Sequence, residues 1–109
     1  MNIDDYRNAI RAFAIYPEAN SCSKNELMYL ALGLCGEAGE VAEKIKKVYR
    51  DNKAVNHEEL AKELGDVAWY WARLCEAIQF RCDDVLLKNV KKLTSRQERN
   101  VLRGSGDNR

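Results

Sequence analysis

Apolar residues recur every three or four positions along most of the chain, and no stretch alternates polar and apolar as a strand does. The pattern predicts an all-α, four-helix bundle-like subunit. Asn2 caps a first helix, with Asp4 and Asp5 in its first turn, where the helix dipole favours acids. That helix is expected to run to about Tyr16, followed by a loop over Pro17–Cys22. Ser23 with Glu26 matches a capping box and opens a long helix from Lys24 to about Arg50. Asn56 and Glu59 start a third helix that ends near Phe80. A fourth is predicted from Asp83 to about Arg99, and the closing RGSGDNR is turn-like.

On a wheel of about 100° per residue, Leu30, Leu34, Val41, Ile45 and Val48 form the apolar stripe of the second helix. Glu37 falls inside that stripe. Glu40, Lys44 and Lys47 follow along its edge, and Gly33 and Gly36 share that edge one turn earlier. On the third helix Leu60, Leu64, Val67, Trp71, Leu74 and Ile78 make the stripe, while Glu59, Glu63, Asp66 and Tyr70 line its margin. Both helices carry a second face of small residues: Ala31, Cys35, Ala38 and Ala42 on one, Ala61, Gly65, Ala68 and Ala72 on the other, with Trp69 beyond it. Each helix is therefore expected to be covered on two sides, which four helices of one chain cannot supply. A homo-oligomer is predicted.

Composition narrows the chemistry. A chain of 109 residues makes one domain with a limited core. A formal charge of +1 gives no overall bias toward nucleic acid or membrane, and no apolar run reaches about 18 residues. The opening MNIDDYRNAI lacks a basic-then-apolar signal pattern, so a reducing, cytoplasmic setting is expected. Cys22, Cys35, Cys75 and Cys82 form no CxxC pair, and one histidine, His57, at a helix start, does not make a zinc site or the Glu-x-x-His pairs of a di-iron bundle.

The acids are the distinctive feature. Glu37-x-x-Glu40 and Glu63-x-x-Asp66 sit at core margins of adjacent helices, where a carboxylate is costly unless paired or bound to a cation. Oxygen ligands of this kind suit Mg²⁺, with Mn²⁺ as a substitute. The competing reading places them on solvated faces in i,i+4 pairs, such as Glu40 with Lys44 and Glu43 with Lys47. From Lys88 to Arg109 there are seven basic residues against Glu98 and Asp107. That run reads either as a solvated or nonspecific nucleic-acid-binding face or as a set of cations for a polyphosphate. No aromatic follows Phe80, which disfavours base stacking by this arm. Acids for a metal beside bases for phosphate point to hydrolysis of a phosphate ester or anhydride.

Three segments carry a family resemblance: GLCGEAGEVAEKIKK, EELAKELGDVAWYWA and NVKKLTSRQERNVLRGSGDNR. They resemble the small single-domain MazG-like nucleoside triphosphate pyrophosphohydrolases, and DDYRNAIRAFAIYP is similar to that family's opening helix. The resemblance implies one domain over residues 1–103, a tail at 104–109, and assembly as a dimer or dimer of dimers. It implies Mg²⁺-dependent conversion of a (deoxy)nucleoside triphosphate to monophosphate and pyrophosphate. By that analogy Glu37, Glu40, Glu63 and Asp66 hold the metal. Glu37 or Glu40 serves as the base for a water attacking the α-phosphorus. Asn89, Lys92 and Arg96 face the phosphates; Lys44 and Lys47 add contacts; Asn108 and Arg109 close over the triphosphate or reach a neighbouring site.

Among Tyr6, Phe13, Tyr70 and Trp71 as stacking candidates, Trp71 is assigned to the core and Tyr70 to base or sugar contact. Gly33 and Gly36 are read as leaving room for metal, water and phosphate, with Gly39 on the opposite face. An all-α dUTPase or a phosphoribosyl-ATP pyrophosphohydrolase would use the same acids, and a non-catalytic helical protein with a structural cation would show metal-dependent stability without turnover. No nucleic-acid partner is expected.

Overall fold

Side chains set the helix starts. Asn2 accepts the Asp5 amide at 2.8 Å while Asp5 accepts the Asn2 amide at 3.3 Å, a reciprocal box that opens α1 (Ile3–Ile10). Ser23 and Asn56 accept the amides of Glu26 and Glu59 and open α2 (Lys24–Asp51) and α3 (His57–Ala77). Asn52, left-handed at φ 51°, terminates α2. A short link then leads to α3, and α4 (Cys82–Glu98) follows a turn at Gln79. The computed structural model describes residues 1–109; it is all-α, and no helix is long and apolar enough to cross a membrane.

Two local expectations change. The first helix stops at Ile10 rather than Tyr16, and a 3₁₀ turn over Arg11–Phe13 redirects the chain. The redirection lets Tyr16 enter the core beside Leu30 and Ala77. Glu26 does not complete a capping box with Ser23. Its carboxylate instead accepts the Tyr16 hydroxyl at 2.6 Å and the amides of Asn20 and Cys22 at 2.8 and 2.9 Å. Arg73 of α3 closes this network, donating to Tyr16 and Asn20 and lying 3.6 Å from Glu26. Glu26 and Arg73 are among the largest fully buried side chains. Positive φ at Glu18, Asn20 and Cys22 lets the loop turn its amides onto the carboxylate.

α2 and α3 form the central antiparallel pair, with Glu26 beside Arg73, Gly33 against Tyr70, Glu37 by Asp66 and Lys44 by Glu59. α1 crosses α3 and the start of α4. Together they enclose Ile10, Ala72, Cys75 and Cys82, with Trp71 packed against them as expected. No Cα of α4 lies within 8 Å of α2.

The predicted apolar stripes are only partly covered. Leu30 is buried, but Ile45, Leu64 and Ile78 remain 42%, 53% and 51% exposed. On the small-residue faces Ala31, Cys35, Ala38, Ala42, Ala61 and Gly65 are exposed, and only Ala72 is buried. The physical reason is helix count: two long helices carry apolar surface on two sides, and α1 and α4 cover one end of one side.

Burial by itself raises the Glu26 carboxyl pKa. The Tyr16 hydroxyl, two amides and the Arg73 charge outweigh that and hold it below the ordinary value of 4.5. A depressed carboxylate stabilises the fold above its ordinary pKa, and that stability is lost as pH falls through the depressed value. Glu26→Gln is therefore expected to cost about 2 kcal/mol at neutral pH, because it removes the charged acceptor of the Tyr16 hydroxyl and the two loop amides and leaves Arg73 with Glu76, 3.2 Å from its Nη1, as its remaining counter-charge. The gap in melting temperature between wild type and variant should narrow only on the acid side, in thermal melts across pH.

Candidate active site

Glu37 lies three helical turns beyond Glu26 on the same face of α2, and Asp66 lies two turns before Arg73 on α3. The buried pair therefore points both acids into one seam. Glu63, one turn earlier on α3, joins them, and one carboxylate oxygen from each of Glu37, Glu63 and Asp66 lies within 4.8 Å of the others. Glu40, one turn further along α2, is exposed and adjoins this trio without sharing its focus. Burial raises the Glu37 carboxyl, and repulsion from Asp66, Glu63 and Glu40 adds to it. Three oxygens held this close repel each other in the absence of a cation, and an all-carboxylate donor set fits a hard divalent ion.

One cation already leans on the cluster. Lys44 Nζ lies 3.5 Å from Glu63 and 4.0 Å from Glu59. Lys47 is directed to Glu43 at 3.5 Å, so of the i,i+4 pairs weighed from the sequence, Glu43 with Lys47 forms while Lys44 turns across to α3. Lys44 and Lys47 also line a hollow of about 270 Å³ at the α2–α3 link, together with Lys53 and Val55.

Beside the acids, Phe13, Trp69 and Tyr70 line an open hollow of about 380 Å³ with Glu37 and Asp66. Trp69 and Tyr70 meet edge to face at 4.9 Å, and Trp69 meets Tyr16 at 6.0 Å in the same manner. Phe13, on the 3₁₀ turn, is 66% exposed. The sequence marked Tyr70 beside the acids and Phe13 among the stacking candidates, while Trp69 was placed beyond a small-residue face.

Gly33 has a different purpose from the one expected. A Cβ there would stand 2.0 Å from Tyr70 Cε1, so the absent side chain seats the Tyr70 ring against α2. A Cβ at Gly36 or Gly39 meets nothing within 4 Å. Burial pushes the Tyr70 hydroxyl pKa up, with Tyr29, Glu37 and Asp66 adding to it, so it stays a neutral donor at the rim of the acid site.

The basic residues of the last helix lie elsewhere. Asn89 and Lys92 line a groove with Ile78, Phe80, Val85 and Lys88. Ile78 is twelve residues past Asp66, roughly 18 Å along α3 at helical rise. Arg96 is buried under the tail: its Nη2 donates to the Asp107 carbonyl at 2.7 Å and carboxylate at 3.1 Å, and its Nε has no partner. Lys92 meets the same carboxylate at 3.0 Å. Arg109 clasps the tail, donating to the carbonyls of Val101, Leu102 and Gly106, while Asn108 is exposed beside it. One protomer thus unites Glu37, Glu63 and Asp66 with Glu40, Lys44 and Tyr70 adjoining, and holds Asn89, Lys92, Arg96, Asn108 and Arg109 apart from them.

The subunit is all-α and sets a carboxylate trio beside an aromatic-lined hollow. Residues 25–101 match the model of the MazG nucleotide pyrophosphohydrolase domain, and the chain belongs to that family. The gene 37 protein of Mycobacterium phage L5 is 46% identical over 114 residues, covering all of both chains. No solved structure matches the chain.

Gly33→Ala should lower the melting temperature and shift Tyr70, read by tyrosine fluorescence or ring NMR signals. Gly36→Ala, whose methyl has open space within the protomer, should gain up to about 1 kcal/mol from helix propensity.

Proposed function

We propose that the protein hydrolyses a nucleoside or deoxynucleoside triphosphate to the monophosphate and pyrophosphate. The observation that carries the reading is the carboxylate trio of Glu37, Glu63 and Asp66 opening onto an aromatic hollow, in a chain of the MazG family. The three carboxylates, with Glu40, would hold Mg²⁺ or Mn²⁺. When bound, the ion neutralises phosphate charge and lowers the pKa of a coordinated water.

Phe13, Trp69 and Tyr70 offer ring faces and edges to a base, which supports placing the base in the hollow and the triphosphate along the acid seam. Glu40, exposed and free of the trio's mutual crowding, accepts the proton of the attacking water. Water adds to the α-phosphorus, the bond from that phosphorus to the bridging oxygen breaks, and pyrophosphate departs with the electron pair. Lys44 is positioned to follow the departing charge, moving from Glu63 to a phosphate oxygen. The exposed apolar and small-residue faces of α2 and α3 support a homodimer or a dimer of dimers.

The test is a panel of canonical NTPs and dNTPs plus dUTP, with Mg²⁺, resolved by chromatography. Wild type is expected to yield monophosphate and pyrophosphate, and Glu40→Gln to lose about a hundredfold or more. Absence of product from every nucleotide would overturn the reading. In parallel, Mg²⁺ or Mn²⁺ should raise the melting temperature, by roughly 2.7 kcal/mol of added stability at a hundredfold excess over Kd. Glu63→Gln should abolish that rise.

A further inference from the structure

We propose that Arg11 is a positioning residue for the base: by clasping Glu76 it fixes the 3₁₀ turn that carries Phe13 into the wall of the aromatic hollow. The inference rests on the pyrophosphohydrolase reading and adds how one side of the base site is held.

Phe13 is not placed by its own packing. It is 66% exposed, and Ile15, two positions on, is 89% exposed. The buried anchors lie at either end of this segment, Ile10 in one core cluster and Tyr16 in the other, and between them only Ala14 adds a methyl to a core. The backbone bonds of the turn are local. The Ala14 amide donates to the Arg11 carbonyl at 3.1 Å, and the Ile15 amide donates to the Phe13 carbonyl at 3.0 Å. They make the turn a unit without tying it to the rest of the chain.

Arg11 supplies the tie. Its Nε donates to Glu76 Oε1 of α3 at 3.0 Å, and Nη2 joins it on the same oxygen. These are the only hydrogen bonds from residues 11–15 to α2, α3 or α4. Glu76 is itself held, because its other carboxylate oxygen accepts Arg73 Nη1 at 3.2 Å and Arg73 is buried against Tyr16 and Glu26. Trp69, Arg73 and Glu76 follow one another at helical spacing and share one face of α3. The face that gives Trp69 to the hollow therefore grips the chain on both sides of Phe13, through Arg11 before it and Tyr16 after it. With the Ala14 amide bonded back to the Arg11 carbonyl, a displaced Arg11 carries Phe13 with it.

Two features give this tie a geometric purpose. The Arg11 and Glu76 side chains are 50% and 25% exposed, and an ion pair so open to water adds little stability. Glu76 also lies ten residues past Asp66, roughly 15 Å along α3, so the guanidinium it holds stands away from the acids.

Steady-state kinetics decide it, on the nucleotide that wild type turns over fastest, with Arg11→Ala, Phe13→Ala and the double variant. Arg11→Ala should raise KM about fivefold at unchanged kcat, an effect within the range of base–aromatic stacking. In the Phe13→Ala background Arg11→Ala should add nothing, since both changes act through one ring. Inhibition by inorganic tripolyphosphate, which has no base, should be equal in wild type and Arg11→Ala. An unchanged KM, a penalty that persists without Phe13, or weaker inhibition by tripolyphosphate overturns the proposal and leaves the enzyme reading intact. A melting temperature well below wild type in Arg11→Ala does the same, because the residue is then structural. A wild type that turns over no nucleotide overturns both.

A second readout needs no turnover. Phe13 and Phe80 are the two phenylalanines of the chain, so fluorophenylalanine labelling resolves each by ¹⁹F NMR. Arg11→Ala should shift or broaden the Phe13 resonance and leave that of Phe80 in place. An unmoved Phe13 resonance overturns the proposal.

Discussion

The buried pairing of Glu26 with Arg73 fixes the rest of the molecule. It lies at one end of the α2–α3 seam, satisfied by Tyr16, Asn20 and the loop amides, and sets how the two helices are aligned. Shifting α3 by one residue would turn Arg73 about 100° away and leave a charge buried without its partner. Apolar contacts tolerate such a slip better, since one aliphatic side chain substitutes for another. Because Glu37 and Asp66 sit whole turns from the pair, the alignment that satisfies the charges also makes the acids converge. A costly buried ion pair thereby gives the seam a single register.

The second constraint is steric. Gly33 lets the Tyr70 ring lie directly on the α2 backbone, between the buried pair and the acids. The ring holds the helices at a set distance there and, with Trp69, walls the hollow into which Glu37 and Asp66 open. Placing the acids and shaping the space beside them are thus one packing event. The helix-propensity cost of a mid-helix glycine is balanced by the aromatic contact it permits.

The same economy accounts for the unusual surface. A short chain that spends its long helices on a charged seam has little left to cover their outer faces, and the leucines of α4 and the alanines of α2 stay exposed. A second copy would cover them without lengthening the chain.

The sequence by itself determined four helices, the capping residues Asn2, Ser23 and Asn56, the long α2 and the approach of the acids of α2 and α3, though not that Glu40 stands off their focus, because periodicity and capping are local and read directly from spacing. The GEAGEV and LGDV contexts likewise carried the family. Tertiary structure alone decided what the glycine at 33 is for, that Glu26 serves the core rather than a cap, and that Trp69 faces the acids. It also decided that the basic residues of α4 stand apart from those acids within one chain. Each of these depends on which element lies opposite, and a residue's own helix shows the direction of its side chain but not what waits across the seam.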